Sequence, residues 1–109
     1  MSEYVGNITD DFLDEAAEYL KVMAHPARLR IALLLSSGEQ PVHEIAESCQ
    51  LRPSQACEHL RLLKRHGLLD SRRDGRLVYY RIVSQRLPRL LSCMQGTWRE
   101  SKRQEQLHT

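Results

Sequence analysis

The sequence predicts a mainly α chain that carries one two-stranded β-hairpin. Three observations predict it. Apolar residues recur at helical spacing over most of the chain, as in Phe12, Leu13, Ala16, Ala17, Leu20 and Met23. One later segment alternates instead and is broken in its middle by Asp74-Gly75. Pro26, Gly38, Pro41, Pro53 and Gly67 cut the helical pattern into short pieces.

The first helix is expected over about 9–23, with Thr9 as its N-cap and Asp10 and Asp11 in the first turn, where the helix dipole favours negative charge. His25-Pro26 ends it, and Pro26 suits the first position of a second helix. Leu29, Ala32 or Leu33, and Leu35 carry the buried face of that helix, and Gly38 stops it. Pro41 opens a short third helix with Val42, Ile45 and Ala46 inward. Gln50-Leu51-Arg52 makes a tight break, Pro53 opens a fourth helix, and Gly67 closes it. Strands follow at 69–73 and 76–82. Asp74-Gly75 between them is a two-residue hairpin signal, because a type I′ turn needs positive φ at both positions. Leu87, Leu90, Leu91 and Met94 mark a last helix over roughly 84–100. Residues 101–109 are polar and are expected to fray into a disordered tail.

The composition fits one small domain over 1–100, with 109 residues, 41% hydrophobic and 28% charged. A core of this size buries a limited area, so dimerisation would add to it. No apolar run approaches the roughly 20 residues of a membrane span. The acidic, polar start does not resemble a secretory signal, and three unevenly spaced cysteines make no disulfide framework. A reduced, cytoplasmic setting without membrane contact is expected.

Charge is unevenly placed. Glu3, Asp10, Asp11, Asp14, Glu15 and Glu18 stand without a cation in the first twenty residues. Residues 52–89 carry Arg52, Arg61, Lys64, Arg65, Arg72, Arg73, Arg76, Arg81, Arg86 and Arg89 against Glu58, Asp70 and Asp74. Such a division suits a basic half facing nucleic acid and an acidic half turned away. A short helix, a three-residue turn and a longer amphipathic helix match a helix-turn-helix, and the hairpin after it would be a wing.

On a helical wheel, Ala56, Leu60 and Leu63 fall on the buried side of the fourth helix. Ser54, Glu58, Arg61 and Arg65 lie opposite, and Cys57 sits at the border. Arg61 suits a guanine edge or a phosphate, Gln55 an adenine, and Glu58 a cytosine amine. His59 packs beside Leu60 or touches phosphate. Arg72, Arg73 and Arg76 flank the hairpin tip, within reach of a minor groove or flanking phosphates. The partner expected is a double-stranded DNA operator, and two modules on a homodimer would span half-sites about one helical turn apart.

These segments resemble the ArsR family of winged helix-turn-helix repressors. The resemblance rests on Ala24-His25-Pro26-x-Arg28-Leu29, Ser54-x-x-x-x-His59-Leu60-x-x-Leu63, Gly67-Leu68-Leu69 and Arg72-Arg73-x-Gly75-Arg76-x-Val78-Tyr79-Tyr80, and it covers roughly 10–98. It implies a homodimer joined by the first and last helices, and release of the operator by an inducer. It also implies where a metal would sit, and the residues there do not fit. The Cys-Val-Cys stretch of metal-sensing members is replaced by Pro41-Val42-His43. The last helix has no His and only Glu100 near its end for the family's second site. No metal or other cofactor is therefore carried over, and the inducer is left open.

Cys49 is expected to be a core thiol, His25 a cap or a packed histidine, and His43 a solvated side chain. Cys57 and Cys93 are the sensing candidates. Cys57 ends the first turn of the fourth helix with Arg61 one turn on, a setting that favours thiolate. An enzyme is not indicated, since no phosphate loop, carboxylate pair or nucleophile-base set is present. Two alternatives stand beside the repressor: a winged-helix protein-interaction module, and a metal-responsive repressor with a non-standard site.

Overall fold

The structure, a computed structural model, describes residues 8–84 and 86–107. Among the described residues, five helices and three strands follow in the order α1 (Asp10–Met23), α2 (Pro26–Leu35), β1 (Gln40–Pro41), α3 (Val42–Ser48), α4 (Pro53–Arg65), β2 (Leu69–Asp74), β3 (Leu77–Ile82) and α5 (Arg86–Leu107). No described helix is long and apolar enough to cross a membrane.

Local chemistry sets most boundaries where the sequence places them. The Thr9 hydroxyl accepts from the Phe12 N–H at 3.1 Å and caps α1. His25 Nδ1 accepts from the Ala27 N–H at 3.2 Å and caps α2, with Pro26 as its first residue. Gly67, at φ 77°, ends α4 through Gly67 N–H to Lys64 C=O at 2.9 Å and Leu68 N–H to Leu63 C=O at 3.0 Å. The same pair of bonds closes α3, where Gln50 takes the left-handed position at φ 56° and Leu51 N–H reaches Ala46 C=O at 2.8 Å. That closure is the turn of the helix-turn-helix.

The core is one cluster built from α1 to α5 together with β2 and β3. Ile31, Ala32 and Leu35 of α2, Ile45 of α3, Ala56, Leu60 and Leu63 of α4, Leu69 and Tyr80 of the strands, and Leu87 of α5 are all buried. The second helix is turned slightly from expectation, because Ile31 enters the core and Leu33 remains exposed.

The wing needs two corrections. It is a three-stranded antiparallel sheet in the order β1-β3-β2, not a two-stranded hairpin. Gln40 pairs with Tyr80 and Pro41 with Tyr79, so Pro41 lies at a sheet edge, where its missing N–H breaks no ladder. Pro41 is thus the cap of α3, not its first residue. The turn is also shifted by one residue. Asp74 pairs with Leu77, leaving Gly75-Arg76 as the connection, and of Asp74, Gly75 and Arg76 only Gly75 has positive φ. This is the type II′ pattern, with glycine first, and it puts Arg76 in the turn itself.

The C-terminal end also differs from expectation. α5 continues to Leu107, past residue 100 where a frayed tail was expected. Glu, Gln, Lys and Arg are good helix formers, no Gly or Pro follows Gly96, and Lys102 pairs with Glu105 at 3.3 Å.

Candidate nucleic-acid interface

α4 lies across the core on Ala56, Leu60 and Leu63, each fully buried, which turns Ser54, Glu58, Arg61 and Arg65 outward. No side chain caps its start, since Arg52 has no acceptor. Instead Gln55 Oε1 accepts the Arg52 N–H at 3.0 Å. Gln55 is therefore partly engaged in holding the helix start. A bidentate pair to adenine needs that same oxygen.

One flank of α4 is fastened to the wing. Lys64 Nζ donates to Ser71 Oγ at 2.7 Å. Burial pushes the Tyr80 hydroxyl up, with Cys57 adding to the shift and Arg61 and Ser71 opposing it, and Ser71 stands opposite Tyr80 in the ladder. Tyr79, one residue earlier, points to the other face of the sheet.

The wing arginines separate into two kinds. Arg72 pairs across the ladder with Tyr79, and its guanidinium lies 4.4 Å from that ring's centroid. It also grips Glu39 with both nitrogens, at 2.6 Å from Nη2 and 2.9 Å from Nε. The bond holds the Glu39 carboxyl below its usual range and the Arg72 guanidinium above its own. Arg72 thus ties the wing to the loop after α2. Arg73 and Arg76 are exposed near the tip and make no hydrogen bond or ion pair among the described residues; the same holds for Arg61 and Arg65.

His59 is turned toward α2, away from the outward crest of α4. Its Nδ1 accepts from Arg28 Nε at 3.3 Å, and its ring meets the His25 ring edge-on at 4.7 Å. Burial, then the charges of His25 and Arg28, hold it below the ordinary histidine value. Sequence reasoning missed this cluster. His25, Arg28 and His59 fall within the family-like motifs, but their meeting depends on how α2 crosses α4.

The thiols occupy three settings. Cys49 is in the core, where burial pushes its thiol up. Cys57 is half-buried and lines a cleft of about 510 Å³ between α3, α4 and the wing, with Val42, Ala46, Leu51 and Val78 among the walls. Cys93 is exposed on α5. Among the described residues, no three His, Cys, Asp or Glu side chains are grouped to hold a metal ion.

Residues 23–72 match a helix-turn-helix domain family. The chain is 34% identical over 80 residues to the biofilm growth-associated repressor of Agrobacterium fabrum, covering 73% of this chain and 68% of that protein. It is 32% identical over 81 residues to the transcriptional repressor SmtB of Mycobacterium tuberculosis, covering 74% of this chain and 60% of SmtB. Among solved structures, it is similar to a homodimeric winged helix-turn-helix domain from Mycobacterium bovis, described as a possible ArsR-family regulator. That match has 34% identity and a TM-score of 0.75, over 87% of this chain and 91% of that one. The antimony-specific repressor AntR superposes with a TM-score of 0.82 at 28% identity, over 89% and 88% of the two chains. Similar in sequence to repressors and in architecture to their DNA-binding domains, the chain belongs to the ArsR family of winged helix-turn-helix transcriptional repressors.

Proposed function

We propose that this chain is a homodimeric, sequence-specific DNA-binding repressor, released from its operator by an inducer. The observation that carries the reading is the set of cations without a partner among the described residues: Arg61 and Arg65 on the crest of α4, Arg73 and Arg76 at the wing tip. A surface cation with no partner in its own chain is available to a phosphate or a base edge. α4 would lie in the major groove with Ser54, Glu58 and Arg61 toward the base edges, and the wing would rest on the flanking backbone.

The dimer reading is supported by the two helices that leave apolar side chains uncovered. Phe12, Leu13 and Leu20 of α1 and Met94 and Trp98 of α5 are each more than half exposed in the single chain. The M. bovis domain, similar in both sequence and fold, is homodimeric.

For the inducer, thiol modification at Cys57 or Cys93 is the finer reading. Cys57 stands between α4 and the wing, so an added group there would part the two elements that hold DNA. The test is fluorescence anisotropy on the duplex upstream of the chain's own gene, with reduced, oxidised and re-reduced protein. Affinity that falls steeply with salt supports the DNA reading. Absence of binding at low salt would sink it. Release on oxidation that survives Cys57→Ser and Cys93→Ser would remove the thiol reading alone.

A further inference from the structure

We infer that the seam between α2 and α4 is a second phosphate-binding site, formed by His25, Arg28, His59 and Arg65. It would grip the DNA strand on the opposite side of α4 from the wing. The inference rests on the DNA-binding reading above and extends it from Arg65 of the crest to His25, Arg28 and His59 beside it.

The geometry begins with the two imidazoles. His25 Nδ1 accepts from the Ala27 N–H at 3.2 Å, and His59 Nδ1 accepts from Arg28 Nε at 3.3 Å. A neutral imidazole that accepts at Nδ1 carries its proton on Nε2. Both rings are therefore donors at their other nitrogen, and they stand 4.7 Å apart between centroids. Both line a cleft of about 420 Å³ with Arg28, Glu58, Leu62 and Arg65. Arg28 is fixed by Nε to His59 and by Nη1 to the Val22 carbonyl at 2.9 Å, which leaves its Nη2 donors unused. Arg65 has no partner among the described residues. Two guanidinium groups and two N–H donors around one cleft, against one carboxylate, make an oxyanion site.

The position of the cleft identifies the anion. α4 has Cys57, Arg61 and Lys64 on the wing flank and His59 and Leu62 on the α2 flank. A helix with its side chains is about 10–12 Å across and fills a major groove of about 12 Å, so a backbone runs along each side of it. The wing serves one backbone, and the α2–α4 cleft faces the other. The low proton affinity of His59, due first to burial and then to His25 and Arg28, accords with surplus positive potential there. Glu58 opposes that potential from the rim.

The test compares Kd on the operator and on an unrelated duplex, over a salt series, for His25→Asn, His59→Asn, Arg65→Gln and Glu58→Gln. Asn at 25 keeps the helix cap, and Asn at 59 keeps an acceptor for Arg28, so each removes the outer donor with little else. Each Asn variant should weaken both duplexes alike, by about 3- to 10-fold, as expected for one lost hydrogen bond. Arg65→Gln should lower the salt slope by about 0.9. Glu58→Gln should tighten the unrelated duplex. Thermal melts establish that each variant is folded. If both Asn variants bind like the parent while Arg61→Ala weakens binding, the site is not used and the DNA reading stands. A loss confined to the operator would assign the cluster to bases and overturn the phosphate assignment. A parent protein that binds neither duplex would overturn both readings.

Discussion

At the scale of single residues, the arginines of the wing divide by what they already touch. Arg72 is engaged by Glu39 and Tyr79, whereas Arg76, in the turn, has no partner among the described residues. Arg76→Ala should weaken binding on all duplexes and lower the salt slope by about 0.9. Arg72→Ala should act indirectly, by loosening the wing, and should change the slope less. Anisotropy over a salt series separates the two. His59 supplies a prediction in pH. Its native proton affinity is lowered, so the unfolded chain takes up a proton first as pH falls. The stability it contributes is complete above about 6.5, the ordinary value, and is lost as pH drops from there toward the lower native value. Thermal melts from pH 7.5 to 5 should show that decline, and His59→Asn, which cannot titrate, should flatten it. Spacing along one element places His59 and Arg72 on the α4 and wing surfaces but does not record what they meet within the chain. Their intrachain partners, Arg28 and Glu39, are 31 and 33 residues away.

At the scale of elements, helix ends and the amphipathic face of α4 were largely legible. Thr9, His25, Pro26, Pro53 and Gly67 act over one turn of chain, so their chemistry is local. The buried stripe Ala56, Leu60 and Leu63 was legible for the same reason. The hairpin turn was displaced by one residue, because Asp74-Gly75 and Gly75-Arg76 are both workable turns. The choice falls to cross-strand pairing, which puts Leu69 opposite Ile82 and Ser71 opposite Tyr80 on the core side. The turn between α3 and α4 holds a different opportunity. Gln50 sits at φ 56°, where a side chain costs about 1–2 kcal/mol and glycine does not. Glycine gives back about 0.5–1 kcal/mol in chain entropy. Gln50→Gly should thus raise stability by up to about 1 kcal/mol, read as a higher urea midpoint with an unchanged slope. A fall would mean that the Gln50 side chain makes a contact worth more than the strain.

At the scale of the whole molecule, α1 is the element least accounted for by its own chain. Val22 and Met23 alone are buried in it, while Phe12, Leu13 and Leu20 stand exposed. If α1 and α5 meet a second copy, Leu20→Glu or Trp98→Glu should give a monomer by light scattering. DNA affinity should then fall far more than a surface charge change explains, because two half-sites would no longer be held together. A dimer that persists in both variants would exclude this face as the interface. The amino-acid sequence by itself determined the helix order, the helix-turn-helix, the amphipathic stripe of α4 and the basic stretch from 52 to 89. Each follows from spacing or from chemistry within a turn. Only the tertiary structure decided that Gln40-Pro41 becomes a third strand, that Arg72 belongs to Glu39, and that His25, Arg28 and His59 meet at one seam. Those outcomes depend on which distant segments are brought together, and the packing of α2, α4 and the sheet around Ile31, Leu60 and Leu63 sets that.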